Sequence, residues 1–365
     1  QILGQNISLQ KFTTFQLQTS KHPGSIGNSY IDFFEDNLFL VSADGVISII
    51  NKYDLFFSKE IIVGEVLETN LKDLIKYDLF YKDSQYGIKD ILIDNNKLYI
   101  SYTNQYKKNC FNTSILVADI NFNKLIFKEF FIPDVCINNN KVEEFNAHQS
   151  GGRIVKYLNG NILFSIGEFR DRKKAQDLDS VFGKIISINI KTKEYEIISS
   201  GHRNVQGLYY NSVSNLILST EHGPKGGDEI NINFLDDSEI MNFGWPISSY
   251  GEHYRNIEKL YKEFPLHKSH SDYGFQEPIL YFVPSIGISQ ILQVPKKYIK
   301  NKFKTIVYGS MGNLPNEGDM SIYFASMKEN KVIDNVSLTL NERVRDIVYD
   351  KNTNMLFLFL ETSSS

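Results

Sequence analysis

The chain has 365 residues, 42% of them apolar, and a formal net charge of −4 with acidic and basic residues mixed along its length. That apolar fraction is enough for a large core. The sequence has no basic block suited to gripping phosphates, which argues against a nucleic-acid partner, and no apolar run near the roughly 18 residues of a membrane helix. The chain begins at Gln1 without a charged segment followed by an apolar one, so either a leader was removed or the chain was trimmed.

Aromatic residues are abundant, with 26 Phe and 21 Tyr against a single Trp, and this composition favours β structure. Six times along the chain an apolar strand pattern is followed by a polar turn and a second strand pattern. The six units are Tyr30–Phe34 with Leu38–Ser42, Ile88–Ile93 with Lys97–Ser101, Gly152–Tyr157 with Asn161–Ser165, Gln206–Tyr210 with Asn215–Ser219, Ile288–Val294 with Lys304–Tyr308, and Val344–Tyr349 with Asn354–Leu358. Units repeated about every 60 residues predict an all-β fold, a six-bladed β-propeller.

We expect residues 1–365 to form one propeller domain with an insertion at about 246–278. Tyr254–Phe264, inside the insertion, is expected to be a short helix or a loop. A propeller usually closes when its last blade pairs with a strand from the other end of the chain, and Ile7–Leu17 is the candidate for that strand. Loops at one end of all blades meet around the axis, so residues far apart in sequence converge there.

The two cysteines, Cys110 and Cys136, flank a stretch with a strand pattern at Ser114–Ala118 and another at Ile126–Phe131. A hairpin brings its ends together, so a disulfide is predicted, with two unrelated buried thiols as the alternative. A disulfide implies an oxidising compartment, and we therefore expect a periplasmic or extracellular protein.

Two segments carry candidate functional side chains just before a strand. In Asn146–Arg153, His148 precedes two glycines that allow a sharp turn, and an imidazole can take up a proton near neutral pH. The alternative is a histidine with a structural hydrogen bond. In Gly201–Gly207, Arg203 and Asn204 offer a cation and an amide for an anionic or quinone oxygen. A salt bridge and a turn asparagine are the alternative there.

Two further segments point to ions. Glu221–Asn231 combines small residues, whose carbonyls are accessible, with carboxylates, and oxygen donors of this kind suit Ca²⁺. Its spacing is not that of an EF-hand, and a glycine-rich solvent loop is the alternative. Arg343 and Arg345 are two apart on a predicted strand and share a face, so they repel unless an anionic ligand or carboxylates lie between them. The alternative is an exposed strand edge.

At these residues the sequence resembles the soluble PQQ-dependent glucose/sorbosone dehydrogenase family, which includes the aldose sugar dehydrogenases. Seven segments occur in the family's order between roughly Gln85 and Glu361. They are His148–Arg153, Ser165–Glu168, Ala175–Asp177 with Gly183–Ile185, Gly201–Gly207, Glu221–Asn231, Asn242–Pro246 and Arg343–Asp346. The resemblance implies a six-bladed propeller with the cofactors PQQ and Ca²⁺, a small-molecule sugar substrate and an external electron acceptor.

The resemblance also implies roles for single residues. His148 would remove the proton of the sugar's anomeric hydroxyl, Arg203 would polarise a quinone oxygen, and Asn204 would hold the cofactor nearby. Gln85 aligns with a family glutamine close to substrate and cofactor, and Glu168 would orient the histidine.

The ligand groups follow from the same resemblance. Gly223 and Pro224 would lend backbone oxygens to the Ca²⁺ that touches PQQ, with the carboxylates of Asp228 and Glu229 nearby. Arg343 and Arg345 would pair with carboxylates of PQQ.

The chain departs from the family pattern at several positions. Glu168 stands where Asp is usual, Tyr281–Ser285 lacks a Trp expected beside PQQ, and Gly312 and Asn313 follow Met311 where a Lys for a PQQ carboxylate is expected. The segment Tyr250–Gln276 is a candidate for a different substrate pocket.

Three functions are compatible with these patterns. The first is PQQ-dependent oxidation of an aldose or a related alcohol, with His148 as general base. The second is a non-catalytic propeller that binds a carbohydrate or a protein, which the missing Trp and Lys favour. The third is a Ca²⁺-dependent hydrolase, against which the cationic character of the candidate axial residues argues. The sequence gives no indication of the oligomeric state.

Overall fold

The computed structural model describes residues 3, 7–14, 28–57, 61–62, 64–235, 239–255, 257–299 and 302–361. Strands dominate this part of the chain. In chain order they are β1 (Thr13–Thr14), β2 (Ser29–Phe34), β3 (Asn37–Ser42), β4 (Ile47–Asn51), β5 (Ile61–Ile62), β6 (Glu65–Val66), β7 (Glu68–Thr69), β8 (Ile88–Asp94), β9 (Lys97–Lys107), β10 (Cys110–Asp119), β11 (Lys124–Leu125), β12 (Lys128–Phe131), β13 (Ile137–Asn138), β14 (Gly151–Lys156), β15 (Ile162–Ile166), β16 (Lys184–Ile188), β17 (Tyr195–Ser200), β18 (Val205–Asn211), β19 (Leu216–Glu221), β20 (Asp228–Phe234), β21 (Met241–Asn242), β22 (Leu280–Phe282), β23 (Ile288–Val294), β24 (Lys304–Ser310), β25 (Ser321–Lys328), β26 (Lys331–Thr339), β27 (Val344–Asp350) and β28 (Met355–Leu360).

The helices are short, and no described helix is long and apolar enough to cross a membrane. The α-helices are α1 (Lys52–Phe57), α2 (Leu71–Leu74), α3 (Leu79–Lys82) and α4 (Glu258–Glu263). Single 3-10 turns lie at Ser84–Tyr86, Ala147–Gln149, Leu158–Gly160, Arg172–Ala175, Ser271–Tyr273 and Pro315–Glu317.

Six sheets form the body of the fold. In each, the strands follow one another in sequence from the inside of the sheet outward. The orders are β2-β3-β4-β6, β8-β9-β10-β12 with β13 also on β10, β14-β15-β16-β17-β21, β18-β19-β20-β22, β23-β24-β25-β26, and β27-β28. Five sheets thus have four or five strands, and the sixth has two in the described part of the chain. Small pairs, β1 with β5 and β7 with β11, complete the strand pairing there.

The first strands of the six sheets stand side by side in a closed ring, in the order β2, β8, β14, β18, β23, β27 and back to β2. A side-chain hydrogen bond joins every neighbouring pair in this ring. The bonds are Ile93 N to Asp32 Oδ2 (2.6 Å), Ile154 N to Asp90 Oδ2 (2.8 Å), Arg153 Nε to Gln206 O (2.6 Å), Leu208 N to Gln290 Oε1 (3.0 Å), Ser289 Oγ to Val344 O (2.5 Å) and Ile31 N to Asp346 Oδ2 (2.9 Å). The fold is an all-β propeller, and the strand pairs predicted from the sequence are its first and second strands.

Among the described residues, no strand of the N-terminal segment pairs with the last sheet, and the closing strand stays a prediction. In the described part of Ile7–Leu17, Thr13–Thr14 pairs in parallel with Ile61–Ile62, and β28 pairs with β27 alone. Residues 15–17 lie outside the described residues. Ile7 packs against the apolar cluster that contains residues of the last sheet, so this segment contributes side-chain packing there.

The predicted disulfide is confirmed. Cys110 begins β10 and bonds to Cys136, with the two Cα atoms 5.4 Å apart. β10 and β12 form the predicted antiparallel hairpin, and Ile137 then returns to pair with Phe111 beside the bridge.

The segment 246–278 lies between β21, which pairs with β17 of the third sheet, and β22, which pairs with β20 of the fourth. Its described residues contain α4 and a 3-10 turn and no strand of a main sheet. Two isolated bridges, Lys225 to Glu252 and Ser248 to His267, attach it to the fold and to itself. The helix falls within the predicted Tyr254–Phe264 segment. This arrangement is compatible with a single domain that carries an insertion, which stays a prediction.

Arg153 on β14 is the most connected side chain at the centre of the ring, and only 2% of it is exposed. Its guanidinium donates to carboxylates of β8 and β27 and to two backbone carbonyls. These partners are Asp90 Oδ1 (3.0 Å), Asp346 Oδ1 (2.8 Å), Arg345 O (3.0 Å) and Gln206 O (2.6 Å). Burial raises the pKa of Asp90 to about 7, and the charge of Arg153 opposes this rise. The cation therefore neutralises a charge that the core would otherwise reject.

Replacement of Arg153 by Met leaves Asp90 and Asp346 buried without their cation. We expect the Arg153→Met variant to lose about 3–5 kcal/mol of unfolding free energy, measured by urea denaturation. As a control, Lys124→Met removes an exposed ion pair with Glu68 (2.8 Å) and should cost less than about 1 kcal/mol. Equal losses in the two variants would contradict the central role of Arg153.

Candidate functional site

The predicted base and the predicted cofactor-binding side chains lie at one end of the ring, because each comes just before or at the start of an innermost strand. Gln85 is in the 3-10 turn before β8, His148 in the turn before β14, Arg203 and Asn204 just before β18, and Arg343 just before β27. Strands of a propeller ring begin at the same end, so these turns meet around the axis. The structure therefore brings together residues that are more than 250 positions apart in the chain.

His148 is exposed at this end of the axis. Its backbone N–H donates to Asn146 Oδ1 (2.8 Å), which begins the turn. Gly151 and Gly152 follow with φ of 63° and 113°, values that side chains rarely allow. A Cβ on Gly152 would also lie 2.2 Å from Cβ of Lys89. The glycines thus serve the sharp turn that the sequence predicted, and Gly152 leaves room for the Lys89 side chain.

Arg203 is buried, with 3% exposed, and its guanidinium is held by backbone carbonyls. Nη1 donates to His222 O (2.8 Å) and Gly223 O (2.6 Å), and its backbone N–H donates to Glu221 Oε2 (2.8 Å). The guanidinium carbon is 5.3 Å from the ring centre of Trp245, within cation–π range. Burial lowers the pKa of Arg203, and Glu168 opposes that change.

Asn204 connects the Arg203 turn to the His148 turn. Its Oδ1 accepts from the Gly151 N–H (3.1 Å) and from Gln206 Nε2 (3.0 Å). Only 1% of Asn204 is exposed. This role agrees with the turn asparagine that was the alternative from the sequence, and the contact of Asn204 with a cofactor stays a prediction.

Glu168 is fully buried, and neither carboxylate oxygen makes a well-formed hydrogen bond within the described chain. Its backbone N–H donates to Arg203 O (3.2 Å), so the two residues are neighbours. Burial raises the pKa of Glu168 to about 7, and the charge of Arg203 is the largest influence in the other direction. Because its oxygens make no such bond, the orientation of His148 by Glu168 stays a prediction.

The predicted metal ligands already have protein partners. Gly223 O accepts from Arg203, and both oxygens of Asp228 accept backbone N–H groups, from Gly223 (3.1 Å) and Ile288 (3.0 Å). The Asp228 carboxylate thereby ties the loop to the start of β23. Within the described residues no three His, Cys, Asp or Glu side chains converge as a metal site. The metal roles of Gly223, Pro224, Asp228 and Glu229 stay predictions.

A small cavity of about 10 Å³ lies behind Arg203, close to the smallest volume that holds one water. Glu221 and Glu229 line it, together with His270 from the 246–278 segment. His270 Nε2 is 3.3 Å from Glu229 Oε1. Burial lowers the pKa of His270, but Glu229 more than offsets this, so the pKa is raised. Sequence reasoning missed His270, because nothing near it in the chain indicates its distant partner.

A protein carboxylate lies between Arg343, just before β27, and Arg345 on β27. Glu361 Oε2 is 3.2 Å from Arg343 Nε and 3.0 Å from Arg345 Nη2. Arg345 also donates to Oδ1 of Asn28 (3.2 Å), which precedes β2 and was missed by sequence reasoning. One of the two predicted ways to relieve the repulsion is therefore present. Arg345 Nε is buried and has no hydrogen-bond partner in the described chain, and the pairing with PQQ carboxylates stays a prediction.

Two departures from the family pattern have local consequences. Asn313, near the position where a Lys was expected, accepts from Arg343 Nη1 (3.1 Å). Tyr281, in the segment without the expected Trp, stacks on Tyr250 with 3.7 Å between ring centres. Tyr250 comes from the predicted Tyr250–Gln276 pocket segment, so this segment does pack against the position of the departure.

Gln85 lies in a turn held by a charged side chain. Its backbone N–H donates to Asp83 Oδ1 (3.1 Å), and its side-chain amide donates to the other oxygen of the same carboxylate. Gln85 O accepts from Lys89 Nζ (2.8 Å). Lys89 was also missed, although its place inside an apolar strand pattern is an unusual one for a lysine.

The raised pKa of Glu168 gives a pH-dependent stability. Below pH 4.5, the ordinary pKa of a glutamate, the carboxyl is protonated in both the folded and the unfolded protein. Between pH 4.5 and about 7 it ionises only in the unfolded protein, so the free energy of unfolding falls as the pH rises. Glu168→Gln lacks this ionisation. We expect the variant to gain roughly 3 kcal/mol relative to the parent between pH 4.5 and 7, measured by urea unfolding. If the unfolding free energies of the two proteins changed in parallel with pH, Glu168 would not be the group with the raised pKa.

Comparison with known sequences identifies the family. Residues 31–364 match the Glucose / Sorbosone dehydrogenase family. Aldose sugar dehydrogenase YliI of Escherichia coli is 35% identical over 152 residues, 38% of each protein, and an uncharacterized protein of Synechocystis is 28% identical over 221 residues, 54% of this chain and 50% of that protein. The matches thus span half or less of these curated relatives.

Solved structures agree in fold. A glucose dehydrogenase superposes with a TM-score of 0.69 at 22% identity, covering 92% of this chain and 94% of that one. The apo aldose sugar dehydrogenase of Escherichia coli gives 0.68 at 22% identity over 92% and 93%. A PQQ-bound aldose sugar dehydrogenase of Streptomyces coelicolor gives 0.61 at 15% identity over 95% and 91%. With the family match over residues 31–364, the chain belongs to the glucose/sorbosone dehydrogenase family.

Proposed function

We propose that this protein oxidises an aldose or a related alcohol with PQQ as cofactor and passes the electrons to an external acceptor. The observation that carries this proposal is the convergence of His148, Arg203 and Arg345 at one end of the axis, a base and two cations from three separate sheets. Family membership and the PQQ-bound Streptomyces coelicolor relative support it.

The residues at this end fit an anionic, aromatic group. Arg345 has a buried N–H without a partner in the described chain, and Arg203 lies against Trp245, whose ring could pack beside an aromatic cofactor. Arg343 keeps a quarter of its side chain exposed. When bound, PQQ supplies an ortho-quinone that accepts a hydride from the sugar carbon.

Three side chains would take part in the oxidation. His148, exposed where substrate arrives, takes the hydroxyl proton as hydride leaves the adjacent carbon. Arg203, fixed by two carbonyls, stabilises negative charge on an oxygen in front of it without having to reorganise. Glu168, with a pKa near 7, sits next to Arg203 and can hold or release a proton there.

We propose Ca²⁺ at the carbonyls of Gly223 and Pro224, with the carboxylate of Glu229, whose hydrogen bond comes from the Asn231 side chain (3.4 Å), as a further ligand. Carbonyl and carboxylate oxygens are the ligands that Ca²⁺ prefers. The Gly223 carbonyl already accepts from Arg203, and its second lone pair remains for a cation. Asp228, whose oxygens both bond to the backbone, would shape the loop.

The finer features of the fold and location belong to the same proposal. We propose six blades, with β27 and β28 as the inner half of the sixth, because β27 fills the ring position between β23 and β2. The Cys110–Cys136 disulfide supports a periplasmic or extracellular location.

A second function is a non-catalytic propeller that binds a carbohydrate or a protein. The observation that favours it is Glu361, which already pairs with both Arg343 and Arg345 and offsets part of their charge. If this function is right, PQQ does not bind, and binding and turnover measurements separate the two proposals.

The test of the first function is dye reduction by protein reconstituted with PQQ and Ca²⁺ over a panel of aldoses and simple alcohols. We expect turnover that requires PQQ, and a loss of about 10²–10⁴-fold in kcat for His148→Ala because the proton acceptor is gone. Quenching of Trp245, the single tryptophan, would report PQQ binding independently.

Binding and stability provide the controls for the His148→Ala experiment. The variant should keep its PQQ-dependent quenching and its Tm, since the side chain is exposed. Full turnover in the variant would refute His148 as the base. A parent protein with neither quenching nor turnover would refute the dehydrogenase proposal and leave the binding propeller.

The proposed Ca²⁺ predicts a metal requirement for cofactor binding. Removal of divalent ions with EGTA should weaken PQQ-dependent quenching of Trp245 by about tenfold or more, the effect of one lost charge-assisted contact. Ca²⁺ should restore it, whereas Mg²⁺, which demands a stricter geometry, should not. Unchanged quenching in EGTA would remove Ca²⁺ from the proposal.

A further inference from the structure

Lys89 is a partly buried lysine at the axial end of β8, outside every segment that carries the family resemblance. It lies where the pairing of β8 with β9 shifts between Ile88 and Asp90. Arg345 occupies the equivalent shift in β27, between Val344 and Asp346. The two cations thus hold matching positions on two strands of the ring, each one residue before an aspartate that bonds to Arg153.

The ammonium of Lys89 is only partly satisfied. It donates to Ser84 O (2.9 Å) and Gln85 O (2.8 Å), whereas an ammonium has three N–H groups. It makes no ion pair among the described residues. Lys184 offers a comparison within the same fold, since its buried ammonium donates to three carbonyls, those of Lys174, Ala175 and Phe182. Lys89 therefore has one donor left over where Lys184 has none.

The surroundings of Lys89 favour an incoming anion. The charged groups that act on it are Arg345 on β27, which repels it, and Asp83 before the turn, which attracts it. Burial and then Arg345 lower the pKa of Lys89 to about 7. Arg345 itself has a buried Nε–H without a partner in the described chain. Lys89 and Arg345 repel each other, and each has an N–H group without a partner in the described chain. A carboxylate that accepts from both would satisfy these N–H groups and offset the repulsion.

We propose that Lys89 and Arg345 Nε together bind a carboxylate of the cofactor, so that Lys89 supplies the cation that is absent after Met311. This inference rests on the proposed function. The close fit of Lys89 Cβ against Gly152 explains how a lysine stem passes between the Gln85 and His148 turns to reach this place. The alternative is that Lys89 serves only to stabilise the Gln85 turn through its two hydrogen bonds.

The experiment measures binding of two ligands by quenching of Trp245, with PQQ and its fully esterified form as a matched pair that differs in carboxylate charge. For Lys89→Met we expect PQQ affinity to fall by about 10- to 100-fold, the effect of one charge-assisted contact, while affinity for the ester stays within about twofold. Lys89→Arg should recover most of the affinity. Lys156→Met, which removes a lysine near the far end of β14, should change neither ligand.

The pH dependence adds a second readout. Only the charged form of Lys89 attracts a carboxylate, so PQQ affinity of the parent should fall between pH 6 and 9 by more than that of Lys89→Met. Other groups that titrate in this range contribute to both proteins and cancel in the comparison.

The outcomes separate this inference from the proposed function. If the parent binds PQQ and Lys89→Met binds it equally well, the inference fails and the function stands. If the variant loses both ligands equally, Lys89 only positions the Gln85 turn, and the inference again fails. If the parent binds neither ligand, the proposed function fails, and this inference fails with it.

Discussion

The structure depends on how a buried arginine is neutralised at the centre of the ring. Innermost strands of neighbouring sheets do not pair with one another. The backbone N–H and C=O groups on their inner edges must therefore find other hydrogen-bond partners. Arg153 does this with carboxylates of β8 and β27 and carbonyls of β18 and β27. Asp90 and Asp346 use their second oxygens on backbone N–H groups of β14 and β2. One network therefore fixes the spacing of five of the six innermost strands.

This network also sets the geometry of the functional end. Lys89 and Arg345 each precede an aspartate bound to Arg153, and Gly152 directly precedes Arg153 itself. The turns that carry Gln85 and His148 lie a few residues further out. A shift of one strand in the ring would therefore move a member of the site by a similar amount. The site lies next to the hydrogen-bonded network of Arg153, which supplies part of the preorganisation that electrostatic stabilisation requires.

The sequence predicted the parts of this structure that depend on local pattern. The twelve inner strands have strong apolar patterns separated by polar turns, and the Cys110–Cys136 bridge follows from a hairpin between the cysteines. The outermost strands range from two residues (Glu65–Val66) to nine (Lys331–Thr339), and local pattern said little about them. Glu361 and His270 were missed because their charged partners lie well away in the chain, at the start of β27 and on β20 respectively. Lys89 donates to nearby carbonyls, but the cation that acts on it, Arg345, lies on another sheet.

The protonation of Glu168 and of Lys89 is coupled to the binding of an anion. Burial raises the pKa of Glu168 to about 7 and lowers that of Lys89 to about 7, so near neutral pH each group is close to the midpoint of its titration. An anion bound at this end favours the protonated form of both, because it repels a carboxylate and attracts an ammonium. Under the proposed function, binding of the anionic cofactor would therefore take up protons, whereas binding of an uncharged sugar would not. The affinity of the site for the anion thus increases as the pH falls, and the site becomes more positive without any change in the fold.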